Sequence, residues 1–325
     1  MARGPIKPTY VAGDARGTFE ATSMATLPGD FTTAIERHVA DHFGGFTHHD
    51  AIVNLRALYA LATPQQRRTG RRWYRVAREA CRAIAHAHGF TLRQVVGITA
   101  ALSPQHSWPS NIAAAAYVAR ILAEDPVIEL PSELVEERYE ESDGVLIPVG
   151  SRLSEMTTLE AAWAIMTKQK FDGGIRNSEG KKVTFSCGSG AVARAIMIAR
   201  GAEPDNVLGG HKVRSFFNNI LYPTKNFDVT FDTHALSAST LTKIPSVSET
   251  GKKLNGKTPQ LAEVNAYGPY SFWADAYRTV AAEVGMRPHE FQATIWIVWK
   301  NFSDTLKLRA GDKLDIATKA RVTVA

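Results

Sequence analysis

Cysteine is nearly absent. Cys81 and Cys187 are the two thiols in 325 residues. That count excludes a disulfide framework, a four-cysteine zinc site and a four-cysteine iron–sulfur cluster. Reduced, structural thiols are the expectation. Long apolar runs are missing too, and none approaches the roughly 20 residues that a membrane span requires. The opening residues, "MARGPIKPTYVAGDARGTFEATS", lack the apolar core of a secretory signal and read as a flexible arm. A cytoplasmic protein with no membrane partner is expected. No internal repeat is visible. What remains is ordinary globular composition, 44% apolar and 22% charged, over a length sufficient for one large domain or two lobes.

Helical periodicity dominates the first 125 residues. It predicts helices over 31–43, over 50–62 with Asp50 as cap, over 71–88 ending at Gly89, and over 92–102 capped by Thr91. After a break at "SPQHSWPSN" a further helix is expected over 111–123. Residues 126–187 differ: they are polar and turn-rich, with β-like runs "GVLIPVG" and "KVTFSC" around one helix near 158–168. They read as a small β-containing insertion with one or two hairpins. Helices return at 189–200 and 211–220. Near the end, "FQATIWIVWKNF" places Phe291, Thr294, Ile295, Val298, Trp299 and Phe302 on one face, a stripe that reads as core. The polar tail from 309 is expected to be mobile.

Net charge is +6, which suits a polyanion partner without establishing one. The arginines are unevenly spread. Arg67, Arg68, Arg71, Arg72, Arg75, Arg78 and Arg82 fall within sixteen residues. Arg68, Arg71, Arg75, Arg78 and Arg82 keep helical spacing and can form one basic stripe. The stripe is either a solvated face or a set of phosphate contacts, with Arg71 and Arg75 at its centre. The acidic segment "ELVEERYEESD" is expected to lie away from any DNA.

Three segments carry candidate chemistry. In "DVTFDTHALSA" an apolar alternation ends at Asp232 where a helix begins. Asp is a favoured N-cap, so the carboxylate is a cap, a reactive group, or both. In "LGGHKVRSFFNN", Gly209 and Gly210 precede a helix starting near His211. Exposed amides at a helix start suit a phosphate, although a plain helix–turn–helix corner has the same look. Lys212 lies 20 positions before Asp232, so a helix, a turn and an extended run would let the two face each other. In "ALSPQHSWPSN" a helix ends in a polar loop with Gln105, His106 and Trp108.

In this order the three segments resemble the helix-hairpin-helix DNA glycosylase superfamily, typified by endonuclease III. "LSPQ" is similar to the loop whose Gln fills the gap left by a flipped base, which assigns Gln105 that role, with His106 and Trp108 as helpers. "VLGGHK" is similar to the hairpin motif, shortened on its glycine side, and puts Lys212 where bifunctional members carry a Schiff-base lysine. "FDTH" matches the motif whose Asp is catalytic, here Asp232, followed by Thr233 and His234 in the cleft. The resemblance spans about residues 90–240. It implies a mainly α, two-lobed fold: a helical lobe of 31–89 plus 227–305 carrying the Asp, and a barrel-like lobe of 90–226 containing the hairpin and the 126–187 insertion. Residues 1–30 would be an arm and 306–325 a tail. The implied partner is DNA, with phosphates held by Gly209, Gly210, His211 and Arg214, and no cofactor is called for.

The implied chemistry starts with base flipping, because a stacked base is unreachable. A carboxylate then stabilises positive charge developing on the sugar as the N-glycosidic bond breaks. The expected activity is excision of a modified or damaged pyrimidine, with lyase activity if Lys212 is the nucleophile. Departures from the family pattern resemble divergent phage-encoded members, some of which are implicated in building hypermodified thymine; a host cytoplasm would follow. Group transfer onto a hydroxymethyl pyrimidine is therefore one alternative. A non-catalytic DNA-binding protein is another. A third is a metal-dependent all-α phosphohydrolase using His38, His42, His48, His49 and Asp50, although no Glu follows His38 directly.

Overall fold

The computed structural model describes residues 22–26, 29–141, 144–224, 227–244 and 269–316. The protein is mainly α, with thirteen α-helices and a two-stranded sheet among the described residues. In chain order these are α1 (Gly29–His42), α2 (His48–Ala60), α3 (Pro64–His88), α4 (Leu92–Ala101) and α5 (Trp108–Glu124). Next come α6 (Ser132–Glu141), α7 (Thr158–Phe171), β1 (Ile175–Arg176), β2 (Lys182–Val183), α8 (Ser189–Ala199) and the single turn α9 (Pro204–Val207). The last are α10 (His211–Leu221), α11 (Thr233–Thr240), α12 (Pro269–Glu283) and α13 (Pro288–Thr305). No helix among the described residues is long and apolar enough to cross a membrane. The chain divides into two compact units, residues 1–75 with 222–325, and residues 76–221.

Local signals start the helices. Thr47, not Asp50, is the N-cap of α2: its hydroxyl accepts from Asp50 N at 3.1 Å, and Asp50 Oδ2 accepts from Thr47 N at 2.8 Å. Asp50 thus closes the capping box rather than opening the helix. Thr91 caps α4 as expected, paired with Gln94. Helix α3 begins at Pro64, seven residues before the expected start, because Pro is well suited to the first turn. Helix α5 likewise starts early, at Trp108, with Pro109 in its first turn.

In the first unit, α2 packs against α11, α12 and α13, and α12 also covers α1. Leu55, Leu58, Phe272, Trp273, Tyr277, Phe291 and Trp299 form the fully buried centre. The expected stripe on α13 is the core face, with Phe291, Thr294, Ile295, Val298 and Trp299 buried and Phe302 packed at its edge. Burying one such apolar side chain contributes about 1.5–3 kcal/mol. The arm and the tail depart from expectation. Thr22 and Ser23 are buried, and Asp275 Oδ2 accepts from Ser23 Oγ at 3.2 Å and from Met24 N at 2.6 Å. Lys313 bridges to Thr242, and Leu314 is buried while its N–H donates to Leu241 O at 2.7 Å. Residues 1–21 and 27–28 of the arm, and 317–325 of the tail, lie outside the described residues, while 29–30 already belong to α1.

In the second unit, α4 packs against α8 and α10, α7 lies along α8, and α5 touches both α4 and α8. Small residues bring these helices close: Ala161, Ala162 and Ala164 on α7 and Ala191 and Ala195 on α8 are buried. Segment 126–187 carries the expected helix and one short hairpin, and it also supplies core. Thr157 and Glu160 form a capping box that starts α7, whose alanine face supplies core. The acidic run is helix α6. "GVLIPVG" forms no ladder, and pairing is confined to Ile175↔Val183, Arg176↔Lys182 and the bridge Val127↔Arg152.

One close approach in the first unit makes a prediction. Gly70 sits inside α3, where a Cβ would lie 2.0 Å from Thr294 Oγ1 and 2.7 Å from its Cα. Propensity alone favours Ala in a helix by about 1 kcal/mol. The clash should outweigh it, so Gly70→Ala should destabilise the protein by about 1–3 kcal/mol in urea unfolding. A midpoint equal to or above wild type would show that α3 and α13 are not in this contact.

Candidate functional site

Asp232 sits in the first unit, where residues 227–232 run extended into α11. Its Oδ1 accepts from Ala235 N at 2.8 Å, so the cap is made. Oδ2 makes no hydrogen bond with the described residues, and the side chain is half-buried. The approach to it is rigid. Val229 and Phe231 are buried, and Tyr270 bridges their backbones: its hydroxyl donates to Val229 O at 2.6 Å and accepts from Phe231 N at 3.0 Å. The Phe231 ring stacks on Trp273, with centroids 5.9 Å apart and planes 4° from parallel.

Behind α11, Tyr277 is fully buried and donates to Ala235 O at 3.1 Å. Burial pushes its hydroxyl well above the ordinary tyrosine range; a hydrogen bond with Ser239 opposes this and the charge of Asp232 adds to it. Tyr277 therefore stays protonated beside the carboxylate. His234 and Lys243 add to the effect of Lys300, whose hydrogen bond holds the Asp304 carboxyl below its usual range. Sequence reasoning missed Tyr270 and Tyr277, because nothing in "PYSFWADAYR" says which aromatic hydroxyls face α11.

The second unit holds the loop and the hairpin. Gln105 is exposed with φ at +62°, a left-handed conformation rare for a residue other than glycine. The loop is pinned from both sides. Ser186 Oγ donates to Gln105 O at 3.3 Å, and the His106 ring lies between Leu102 O at 2.7 Å and Thr184 O at 2.6 Å. His106 thus holds the loop's shape. Trp108 opens α5 and meets Phe216 of α10 edge-on, centroids 6.4 Å apart. Lys212 lies one turn before Phe216 on that helix, so Trp108 and Lys212 belong to one side of α10. The Lys212 ammonium makes no hydrogen bond or ion pair with the described residues.

The hairpin joins α9 to α10 through buried Leu208 and exposed Gly209 and Gly210. Gly210 has φ of +77°, which lets the chain reverse tightly. A Cβ at either glycine would meet nothing within 4 Å, and among the described residues neither amide donates a backbone hydrogen bond. Arg214, read as a phosphate contact, donates to Asp205 O at 2.7 Å and staples the hairpin shut. Arg93 of α4 reinforces it, pairing with Glu203 at 3.2 Å and also with Asp205.

Residues 40–303 match the family described as Family of unknown function (DUF7178), more than half of the chain. The protein belongs to the DUF7178 family. Neither the curated proteins nor the solved structures contain a match to it. The DUF7178 match runs from α1 to the end of α13 and includes Gln105, the glycine hairpin, Lys212 and Asp232.

The remaining candidates of this DUF7178 chain disperse. Of the arginine stripe, Arg68 donates to Gln65, Arg78 to Leu221 O at 3.2 Å, and Arg82 pairs with Glu79. Arg71 and Arg75 instead line a cavity with Arg72 and Arg287. Among the described residues no three His, Cys, Asp or Glu side chains are grouped to hold a metal. Of the histidine set, Asp50 is engaged with Thr47, His49 is exposed, and His48 lies edge-on to Phe272 with its pKa lowered by burial. The side chain of His42 lies outside the described residues.

Two predictions follow from these surroundings. Asp232→Ala should cost about 1 kcal/mol of stability and Asp232→Asn only a few tenths, since Asn caps nearly as well. Equal unfolding midpoints for Ala and wild type would mean that the cap contributes nothing. Burial raises both cysteine thiols to about 11, so at pH 8 about one thiol in a thousand is thiolate. Folded protein should resist iodoacetamide at pH 8 and label fully in denaturant. Rapid labelling of native protein would contradict the raised pKa of buried Cys81 and half-buried Cys187.

Proposed function

We propose that the protein is a DNA base-acting enzyme that flips a nucleotide out of the duplex and cleaves its N-glycosidic bond. The observation that carries this reading is the state of Asp232. One carboxylate oxygen is held by the first turn of α11 and the other is left without a hydrogen-bond partner among the described residues. The arrangement orients the group without consuming it. Beside C1′ of a flipped nucleotide, the uncommitted oxygen offsets the positive charge that grows as the base departs with the bonding electron pair. The departing base takes up a proton, and water adds to C1′ to leave an abasic sugar.

The second unit would hold the DNA. The amides of Gly209 and Gly210, ahead of α10, donate no backbone hydrogen bond among the described residues; they suit a backbone phosphate and carry no sequence preference. Gln105, held outward in a left-handed conformation, suits the gap left by a flipped base. The motif order Gln105, Lys212, Asp232 resembles that of helix-hairpin-helix glycosylases, and the same likeness supports the finer two-lobed fold. A modified or damaged pyrimidine is the substrate this reading favours.

The test measures single-turnover rates on duplexes bearing modified pyrimidines. Asp232→Asn should bind DNA at least as tightly as wild type and turn over about a hundredfold more slowly or worse, the scale of losing a positioned catalytic group. Wild-type turnover in a folded variant would leave Asp232 as a cap alone. Mass spectrometry of the products should give free base and abasic sites; a heavier nucleoside would replace excision by transfer of a group onto the base. If Lys212 is the nucleophile, borohydride should trap a protein–DNA adduct that Lys212→Ala cannot form. Trapping that survives the substitution would move the nucleophile elsewhere.

A further inference from the structure

The arginine-lined cavity in the first unit has no part in base cleavage and has its own chemistry. It is an open concavity of about 520 Å³, within the range of about 300–1,000 Å³ typical of small-molecule sites. Arg71 and Arg75 are one turn apart on α3, with Arg72 beside them; Arg287 and the first turn of α13 form the facing wall. Among the described residues, Glu290 is the only carboxylate in the lining. It is buried and already engaged, accepting from Arg287 N at 3.3 Å and Arg287 Nη1 at 3.0 Å, with Arg75 3.7 Å away. Glu290 therefore positions two guanidinium groups. Arg71 and Arg72 make no hydrogen bond or ion pair with the described residues.

The charges do not cancel. Among the described lining residues four guanidinium groups face one carboxylate, an excess of three positive charges in one concavity. A helix N-terminus at the same wall adds further positive potential. The ligand that meets this is an anion of charge two or more with several acceptor oxygens, which guanidinium forks grip in pairs. A single carboxylate would leave most of the excess unmatched. The remaining wall adds a second requirement. Phe227 lines the cavity with 62% of its surface exposed, while its carbonyl accepts from Arg278 Nε at 3.1 Å. An exposed aromatic ring on an anchored backbone beside a cationic site offers a stacking plate for a flat ring.

We infer that this cavity binds a nucleoside phosphate, with the phosphate on Arg71, Arg72 and Arg287 and the base stacked on Phe227. The site includes none of the residues proposed for cleavage, Asp232 and Lys212, although Arg71 and Arg75 were also expected phosphate contacts. Its ligand chemistry is shared by a free nucleotide and by one residue of a nucleic-acid strand.

Titration calorimetry of the full chain tests it, with inorganic phosphate, a deoxynucleoside, its 5′-monophosphate and a trinucleotide with internal phosphodiesters as separate probes. The monophosphate should bind about tenfold or more tighter than inorganic phosphate, the gain expected from one stacked base, and the deoxynucleoside should bind more weakly than either phosphate. Phe227→Leu should bring the nucleotide down to the affinity of phosphate. Arg71→Gln with Arg72→Gln should abolish both, and with both side chains exposed and unpaired, the melting temperature should not change. A trinucleotide that displaces the monophosphate would identify a strand as the source, and one that does not would identify a free nucleotide; either keeps the site. A nucleotide that binds no tighter than phosphate, or binding that survives the double arginine variant, would overturn it.

Discussion

Residues 228–231 are buried, and among the described residues no strand lies beside them to take their backbone hydrogen bonds. A buried amide or carbonyl without a partner costs about 1–3 kcal/mol, so the first unit must supply partners by other means. One side chain supplies two of them. Tyr270 accepts from Phe231 N and donates to Val229 O, standing in for a strand. The Phe231–Trp273 stack holds the same segment from its side-chain face. Both Tyr270 and Trp273 come from α12, so that helix decides where the extended segment ends and where α11 begins. The orientation of Asp232 is a consequence. An N-cap can only orient a carboxylate as well as the chain leading into it is held.

The second unit meets a different constraint, the strain of its loop. A non-glycine residue in the left-handed region costs about 1–3 kcal/mol and persists only where its surroundings insist on it. Around Gln105 the surroundings are hydrogen bonds to carbonyls: Ser186 to Gln105 O, and the His106 ring against Leu102 O and Thr184 O. Segment 126–187 thereby gains a purpose beyond bulk. It contributes α7 to the core and also the residues that hold the loop. At the other end of α4, Arg93 ties down the hairpin together with Arg214, and among the described residues the amides of Gly209 and Gly210 donate no backbone hydrogen bond.

The arginines illustrate how tertiary contacts sort a uniform sequence feature. All five stripe positions have the same helical spacing, but their surroundings differ. Arg78 is drawn to a backbone carbonyl and Arg82 to a carboxylate on its own helix. Arg71 and Arg75 reach the start of α13, where Glu290 and Arg287 turn part of the stripe into a concave wall.

Short-range chemistry was readable from the chain itself. The Thr91 cap, the apolar face of α13, the glycine turn ahead of α10 and the Asp232 cap each depend on residues within one or two helical turns, and each forms where the pattern put it. The shortage of cysteine likewise settled in advance that no four-cysteine metal site exists. Contacts between residues far apart in sequence were not readable. Tyr270 serving as a strand partner, Gly70 pressed against Thr294, the Arg287–Glu290 wall facing Arg71, and α7 as core rather than insertion all join segments that no local spacing relates. Helix starts and turns are decided by hydrogen bonds that close within a few residues, so composition and order suffice to predict them. Whether an arginine becomes a staple, a surface charge or a cavity wall is decided by which distant carbonyl or carboxylate reaches it, and only packing of the whole chain settles that.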